Sequence, residues 1–472
     1  MCNRALTASI HTLDDNSLLH VFYLCRPFSG DENYLANWRY GGYWWYTLAH
    51  VCHRWRNIIL GSASYLGLSL LCTYGTPVAE MLAHSHPLPL DIGYFVPGRN
   101  LTTEDEDGII LALKQRDRVR RVRFGNAVNQ KVFVALEEEY PILEYLDITR
   151  RIEDNSTISI FPETFQAPHL RYLLLTGFAL PIGSQLLTTA VGLVTLHLTM
   201  VHPSTYFHPN TLIQWISLMP HLEKLIIIFE SPIPNHDIEK QLTHAPNIPP
   251  ITLPNLHFIK FRGASSYLEE LVHRITTPRL KMLQIEFFYQ PSFSVPRLMQ
   301  FIDASENIRF RDHVVLSFSD KDVNVGVSPL GNNVYALGIR TLCCHLDWQV
   351  SSATQFSNSL SQRFSAVENL TLQHWVHNES SEEHNEVDRT EWRNLLRLFS
   401  NVKHLGVGKG LFKDISRCLQ LEDEELPLGL LPELKELMCF GSSDSSDAGA
   451  HSAFASFIHA RRNAGHPVTF IR

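Results

Sequence analysis

Long hydrophobic runs are missing from this 472-residue sequence. No segment approaches the roughly 18 uncharged apolar residues of a bilayer-spanning helix, so no membrane partner is expected. The first stretch, MCNRALTASIHTLDD, lacks the continuous apolar centre of a secretory signal. An excess of basic charge is also missing. The formal charge is −8, which gives no global attraction to nucleic acid or anionic lipid, and nucleic acid is not expected as a partner. The eight cysteines (Cys2, Cys25, Cys52, Cys72, Cys343, Cys344, Cys418, Cys439) are sparse and scattered inside apolar patterns. They read as reduced, buried thiols rather than a disulfide framework, which places the chain in the cytoplasm or nucleus. The Asn-x-Ser/Thr triplets at Asn155 and Asn369 then read as chance. Enzyme motifs are lacking too. GVGKG has neither the spacing nor the final Ser/Thr of a phosphate-cradling loop, and G-x-S-x-G and H-E-x-x-H are missing. Neither a catalytic residue nor a cofactor is expected.

What is present is a repeat. With 44% hydrophobic and 19% charged residues the chain is globular, and its length exceeds what one ordinary core serves. The pattern apolar-x-x-apolar-x-apolar recurs in RVRRVRF, ILEYLDI, HLRYLLL, LVTLHL, HLEKLII, NLHFIKF, RLKMLQI, NVYALGI, AVENLTL, NVKHLGV and ELKELMC. A weaker copy, HVVLSF, begins at His313, and successive copies then start 21 to 35 residues apart. Many are preceded by proline, as in YPILEYL, APHLRYL, MPHLEKL and LPELKEL.

The last two apolar positions of each copy alternate with polar ones, which is the period of a strand with one buried face. Between copies lie helical patterns: Leu212, Trp215, Ile216 and Met219; Leu268, Leu271, Val272 and Ile275; and WRNLLRLF from Trp392 to Phe399. Such units bury their apolar faces only by stacking on one another. This is the leucine-rich-repeat signature. The expected fold is α/β, a curved, irregular solenoid over 115–472 with each strand parallel to the next. A generic α/β enzyme is the alternative, and many copies at bounded spacing argue against it. The polar strand positions would line the concave face: Arg123, Asp147, His197, Lys260, Arg262, Gln284, Glu286, Arg340 and Gln373. Of these, Arg123, Lys260, Arg262 and Arg340 are the expected substrate-binding residues, for an unknown protein substrate.

Upstream the texture changes. Asp14, Asp15, Asn16 and Ser17 suit a helix start before Leu18, Leu19, Val21 and Phe22. RPFSGDENYLANWRYGGYW reads as a loop, an insertion over about 26–43. In LAHVCHRWRNIIL, Leu48, Val51, Cys52 and Trp55 fall at i, i+3, i+4 and i+7, an apolar stripe along a second helix. SASYLGLSL supplies a short third element. This 8–70 module is too small to bury both stripes unaided, so a partner or the first repeats must cover them. Residues 71–114 read as a connecting segment.

LDDNSLLHVF resembles the first helix of F-box domains, L-P-x-E-L-L-x-x-I-F, with Leu13, Leu18, Leu19, Val21 and Phe22 at its apolar positions. LAHVCHRWRNI is similar to the second half, at Leu48, Val51, Cys52 and Trp55. The continuation SASYLGLSLLCTYGTPVAEMLAHSHPLPLDI resembles F-box proteins of mushroom-group fungi, which run on into leucine-rich repeats. The resemblance implies the substrate receptor of an SCF-type ubiquitin ligase. Its F-box would dock those nine residues on a Skp-family adaptor within the cullin complex, and its repeats would hold the target. Outside the ubiquitin system the same layout would be a protein-interaction scaffold. Asp14 stands where the family has proline, which is expected to loosen the helix start.

Three further signals have bland readings. RDRVRRVRF carries five arginines, a phosphate site or, more simply, the solvated polar side of the first repeat strand. Cys343-Cys344-His345 invites a metal, but adjacent residues point to opposite sides of a strand and no second pair stands at zinc-like spacing. HNESSEEHNEVDRTE (His377–Glu391) and GSSDSSDAGA (441–450) read as disordered loops.

Overall fold

A computed structural model describes residues 10–26, 44–85, 88–95, 99–125, 130–150, 159–181, 183–202, 206–230, 249–288, 293–305, 307–308, 313–327, 335–375, 388–420, 428–441 and 447–471. The expected loop insertion therefore lies almost wholly outside the described residues. Most of the acidic stretch from His377 and residues 442–446 of the serine-rich stretch lie outside them too. The described carboxyl ends of both stretches are helical rather than loop: Asp388 caps a helix Arg389–Leu396, and a helix Asp447–Asn463 takes up residues 447–450 of the second. The chain divides into two compact units, Met1–Leu193 and Val194–Arg472.

The local logic of a repeat starts at its proline. In Tyr140-Pro141-Ile142-Leu143 the Leu143 N–H donates to the Tyr140 carbonyl, closing a four-residue turn with proline at its second position. The same bond closes the turns at Leu170, Leu222, Leu256, Leu280 and Leu434, each with proline two residues before the leucine. Proline already holds φ near −65°, the value that position requires, so little chain entropy is lost in making the turn. The leucine that ends the turn is buried, with Leu143, Leu170, Leu222, Leu256 and Leu280 all 0% exposed. The strand then begins two residues later. Copies without proline close the same turn at Leu193, Val367 and Val402. Asparagine amides stitch successive turns together, Asn255 Nδ2 donating to the Pro220 carbonyl and Asn307 Nδ2 to that of Pro278.

In the first unit β1 (Leu70–Cys72), β2 (Leu90–Tyr94), β3 (Val119–Phe124), β4 (Tyr145–Thr149) and β5 (Tyr172–Thr176) pair in that order, all parallel. Two strands of this ladder precede the first recognised copy, so the segment expected to be a connection carries strand β2 and most of β1. LSLLC and LPLDIGY bury almost every residue, and their uninterrupted apolar character hides the alternation that reveals the other strands. Ser69 and Asp91 are the polar exceptions among them; both are buried, and the Ser69 hydroxyl donates to Asp91 Oδ2 at 2.7 Å.

The second unit holds β6 (Thr195–Val201), β7 (Lys224–Phe229), β8 (Phe258–Gly263) and β9 (Met282–Phe287), parallel and in order. Its later strands are β10 (His313–Ser319), β11 (Asp322–Val327), β12 (Leu337–Leu342), β13 (Asn369–Trp375), β14 (His404–Gly408), β15 (Glu436–Phe440) and β16 (Thr469–Ile471). Here the expectation that each strand lies parallel to the next fails. The spatial order is β9-β12-β11-β10-β13, and β11 runs antiparallel to both its neighbours. Only Asp320 and Lys321 separate β10 from β11, and so short a link permits an antiparallel hairpin alone. Ser319 Oγ holds the turn by accepting from the N–H groups of Lys321 and Asp322 at 3.2 and 3.1 Å. The helix Pro296–Ala304 and the helix Leu346–Ser359 carry the chain past this meander and back. From β13 to β16 the ladder is parallel again.

Inward residues of neighbouring strands stand in continuous rows. Leu196, Leu225, Ile259, Leu283 and Leu337 form one; Leu198, Ile227, Phe261, Ile285 and Ile339 form the next. All ten are 2% exposed or less. Burying each contributes about 1.5–3 kcal/mol, which is why the strand period is enforced at every step. Helices cover the inner face, Ser265–His273 packing on Pro296–Ala304, and Arg389–Leu396 on Phe412–Leu419. No described helix is long and apolar enough to cross a membrane.

Candidate protein-interaction site

The amino-terminal module comprises α1 (Asp15–Leu24), α2 (Trp44–Ala49), α3 (His53–Gly61) and a short helix Ala63–Leu66. Asp14 does not loosen the start of α1. Its Oδ1 accepts from the Ser17 N–H at 2.9 Å and its Oδ2 from the Ser17 hydroxyl at 2.8 Å, a side-chain cap. Those hydrogen bonds from Ser17 hold the Asp14 carboxyl below its ordinary pKa.

The stripe Leu48–Trp55 is not one helix. α2 ends at Ala49, and Cys52 is the extended N-cap residue of α3, so Leu48 and Trp55 sit on different helices. The i, i+3, i+4, i+7 spacing is there in the sequence, but a turn interrupts it. The helices bury a second set instead. Leu18 and Phe22 of α1, Trp45 and Ala49 of α2, and Trp55 and Ile59 of α3 are all 9% exposed or less. Trp55 meets Phe22 edge-on with ring centroids 4.9 Å apart, and Trp45 Nε1 donates to the Ser69 carbonyl just before β1. Arg54 ties α3 to α1 by pairing with Asp15 and donating to the Leu13 carbonyl at 2.6 Å.

The nine residues matched to the F-box pattern therefore fall into three groups. Leu18, Phe22 and Trp55 are internal; Leu19, Leu48 and Cys52 are half-buried; Leu13, Val21 and Val51 are exposed. Tyr23, Leu24 and Tyr65 join the exposed group, with Leu24 at 70% and the two tyrosine rings 5.3 Å apart.

The outward face of the strands is the second candidate surface. In the first unit the arginine run is absorbed by carboxylates on neighbouring strands. Arg120 and Arg121 lie 3.5 and 3.8 Å from Asp91, and Arg123 lies 3.0 Å from Asp147. Arg123 also stacks over the Phe95 ring at 4.2 Å, and Arg121 over Tyr145 at 5.6 Å. Arg118 donates to the Leu88 carbonyl, and Arg116 pairs with Glu138. The stretch is thus a set of internal ion pairs more than a solvated basic face. Burial pushes the Asp147 carboxyl upward, and Arg123 opposes that. Asp91 left no sequence signal, because its partners lie about thirty residues downstream with no periodicity to link them.

In the second unit the register aligns the polar positions in two rows. One runs His197, Ile226, Lys260, Gln284 and Gly338; the other runs Thr199, Ile228, Arg262, Glu286 and Arg340. Lys260, Arg262 and Arg340 thus share one surface. Arg262 lies 3.1 Å from Glu286, and Arg340 lies 3.9 Å from Asp322. Lys260 has no ion pair among the described residues. Burial, then the nearby Lys260 charge, lowers the His197 pKa to about 4, so its ring is neutral near pH 7. Half-exposed Ile226, Ile228, Phe258 and Met282 sit between the charges. Beyond Arg340 the two glycines Gly338 and Gly326 face each other, and the Tyr335 ring covers Gly326 so closely that a Cβ there would lie 2.5 Å from it. Gln373, on β13, stands opposite Ser317.

Cys343 and Cys344 lie past the end of β12, in the link to the helix Leu346–Ser359, and not on a strand as the sequence suggested. Cys343 is buried, which pushes its thiol up to about 12; Cys344 is exposed; and His345 packs on Trp348. Among the described residues no three His, Cys, Asp or Glu side chains converge to hold a metal.

No family model matches the chain, and no curated relative matches it. Among solved structures it is similar to the leucine-rich repeat-containing protein LegL7 from Legionella pneumophila, at 10% identity and a TM-score of 0.25, covering 82% of this chain and 98% of that one.

Proposed function

We propose that this chain is a protein-recognition subunit, the substrate receptor of an SCF-type ubiquitin ligase. Its amino-terminal module docks on a Skp-family adaptor and so on the cullin complex, while its strand face holds a target protein in the cytoplasm or nucleus. The observation that supports the first half is the exposed apolar set Leu13, Val21, Leu24 and Val51 on a small helical module with the F-box-like pattern. Four exposed apolar side chains on so small a module support an interaction site there. The second half rests on the strand face, whose side chains alternate charge and apolar surface over several strands. The chemistry is binding, with no reacting group assigned.

Co-purification of the full chain with a Skp-family adaptor tests the reading. Val51→Asp together with Leu24→Asp should abolish capture without altering the melting curve. Capture that survives this double change, or none by the unaltered chain, overturns it. The burial of Leu18, Phe22 and Trp55 inside the module favours a second reading, a recognition scaffold outside the ubiquitin system, and that reading predicts no capture at all.

A further inference from the structure

The strand face of the second unit is not uniformly charged, and the distribution selects a partner. Arg262 is neutralised by Glu286, and Arg340 stands nearest Asp322. Lys260 is different. Its register neighbours are Ile226 on β7 and Gln284 on β9, and Phe258 precedes it by two on the same face of β8. These neighbours carry no charge, and among the described residues Lys260 has no ion pair. His197, in the same row, is held neutral and adds no charge of its own.

We infer that Lys260 anchors a carboxylate side chain of an extended acidic segment in a protein partner, with apolar residues of that segment resting on Ile226 and Phe258. This deepens the strand-face half of the proposed function and rests on it. Charge complementarity chooses an acidic segment over a basic one. A carboxylate is favoured over a phosphate because a phosphate is best held by a bidentate arginine fork, and the one arginine beside Lys260 on this strand, Arg262, already has its charge paired through Nε with Glu286. The apolar neighbours exclude water from one side of the pair, which strengthens it relative to an isolated surface pair. Residues two apart on an extended segment project to the same side, about 6.6–6.8 Å from each other. An apolar side chain two residues along from the acid on Lys260 can therefore reach Phe258, while Ile226, beside Lys260 on β7, meets the flank of the same segment.

The test uses the full chain and a short fluorescein-labelled peptide of alternating glutamate and valine, read by fluorescence anisotropy. A lysine-for-glutamate counterpart serves as the opposite charge. The unaltered chain should bind the acidic peptide and not the basic one. Lys260→Gln should weaken binding roughly tenfold, about 1.4 kcal/mol. Lys260→Glu should reverse the preference, and Lys281→Glu, on an exposed turn, should change nothing. Should the charge reversal unfold the chain, the Gln variant decides. Equal binding of both peptides, no binding, or an unchanged affinity in Lys260→Gln overturns the inference. Adaptor capture is scored on a different surface, so failure here is distinguishable from failure of the ligase reading.

Discussion

Two side chains at the residue scale show how burial decides the meaning of a motif. Trp55 belongs to the pattern shared with F-box domains, yet its ring is packed on Phe22 and only 9% exposed. Trp55→Ala should therefore open a cavity and cost about 3–5 kcal/mol, visible as a lowered melting temperature. Val51→Asp, at a position 55% exposed, should stay within about 0.5 kcal/mol of the parent. An adaptor assay on Trp55→Ala alone would confuse lost binding with lost folding, so the exposed positions are the informative ones. Arg123 and Asp147 supply the converse case. Arg123→Leu leaves the buried Asp147 carboxylate without its cation and should destabilise the fold by about 3–5 kcal/mol in chemical denaturation. Adding Asp147→Leu should recover much of that loss, because the uncompensated charge then disappears. An Arg123→Leu chain as stable as the parent would show that the pair contributes nothing.

At the scale of the element, twelve of the sixteen ladder strands were legible, and the order of those around the meander was not. Each of the twelve recognised copies ends on a strand, because a turn ending in a buried apolar residue followed by strict alternation is a local signal. The meander was hidden because HVVLSF resembles a repeat strand locally, whereas its place in the sheet is fixed by β11, which VNVGV announces only through a short alternation. The helix break at Val51–Cys52 was hidden for a similar reason, since periodicity persists across a tight turn. In the meander, Gly326→Ala should displace the Tyr335 ring and cost about 1–3 kcal/mol, and Tyr335→Ala in the same chain should relieve part of the cost. Thermal melts of the single and double variants check it. His197 on β6 gives a pH signature. Its folded pKa of about 4 lies below the ordinary 6.5, so the unfolded chain binds the proton more readily in between. Its contribution to stability is thus intact above about pH 6.5 and lost as pH falls toward 4. His197→Gln should flatten the stability profile over that window, and an identical profile in both proteins would refute the assignment.

For the whole molecule, the candidate surfaces were legible only as positions, since a polar residue on a strand is visible in sequence but its ion-pair partner on a neighbouring strand is not. Lys260 and Arg262 look alike in FIKFRG; the register with Glu286 is what separates them. The same register makes each inward row a chain of nearest-neighbour contacts instead of one shared core, and a stacked array of this kind is stabilised locally. Leu225→Ala in β7 removes a side chain that is 1% exposed and should cost about 2–5 kcal/mol. Hydrogen exchange should then show lost amide protection in β6, β7 and β8, the strands that touch the cavity, while β14 and β15 keep theirs. A single cooperative core would instead lose protection evenly across the second unit. The pattern of protection, more than the size of the destabilisation, is what distinguishes a ladder from a globule.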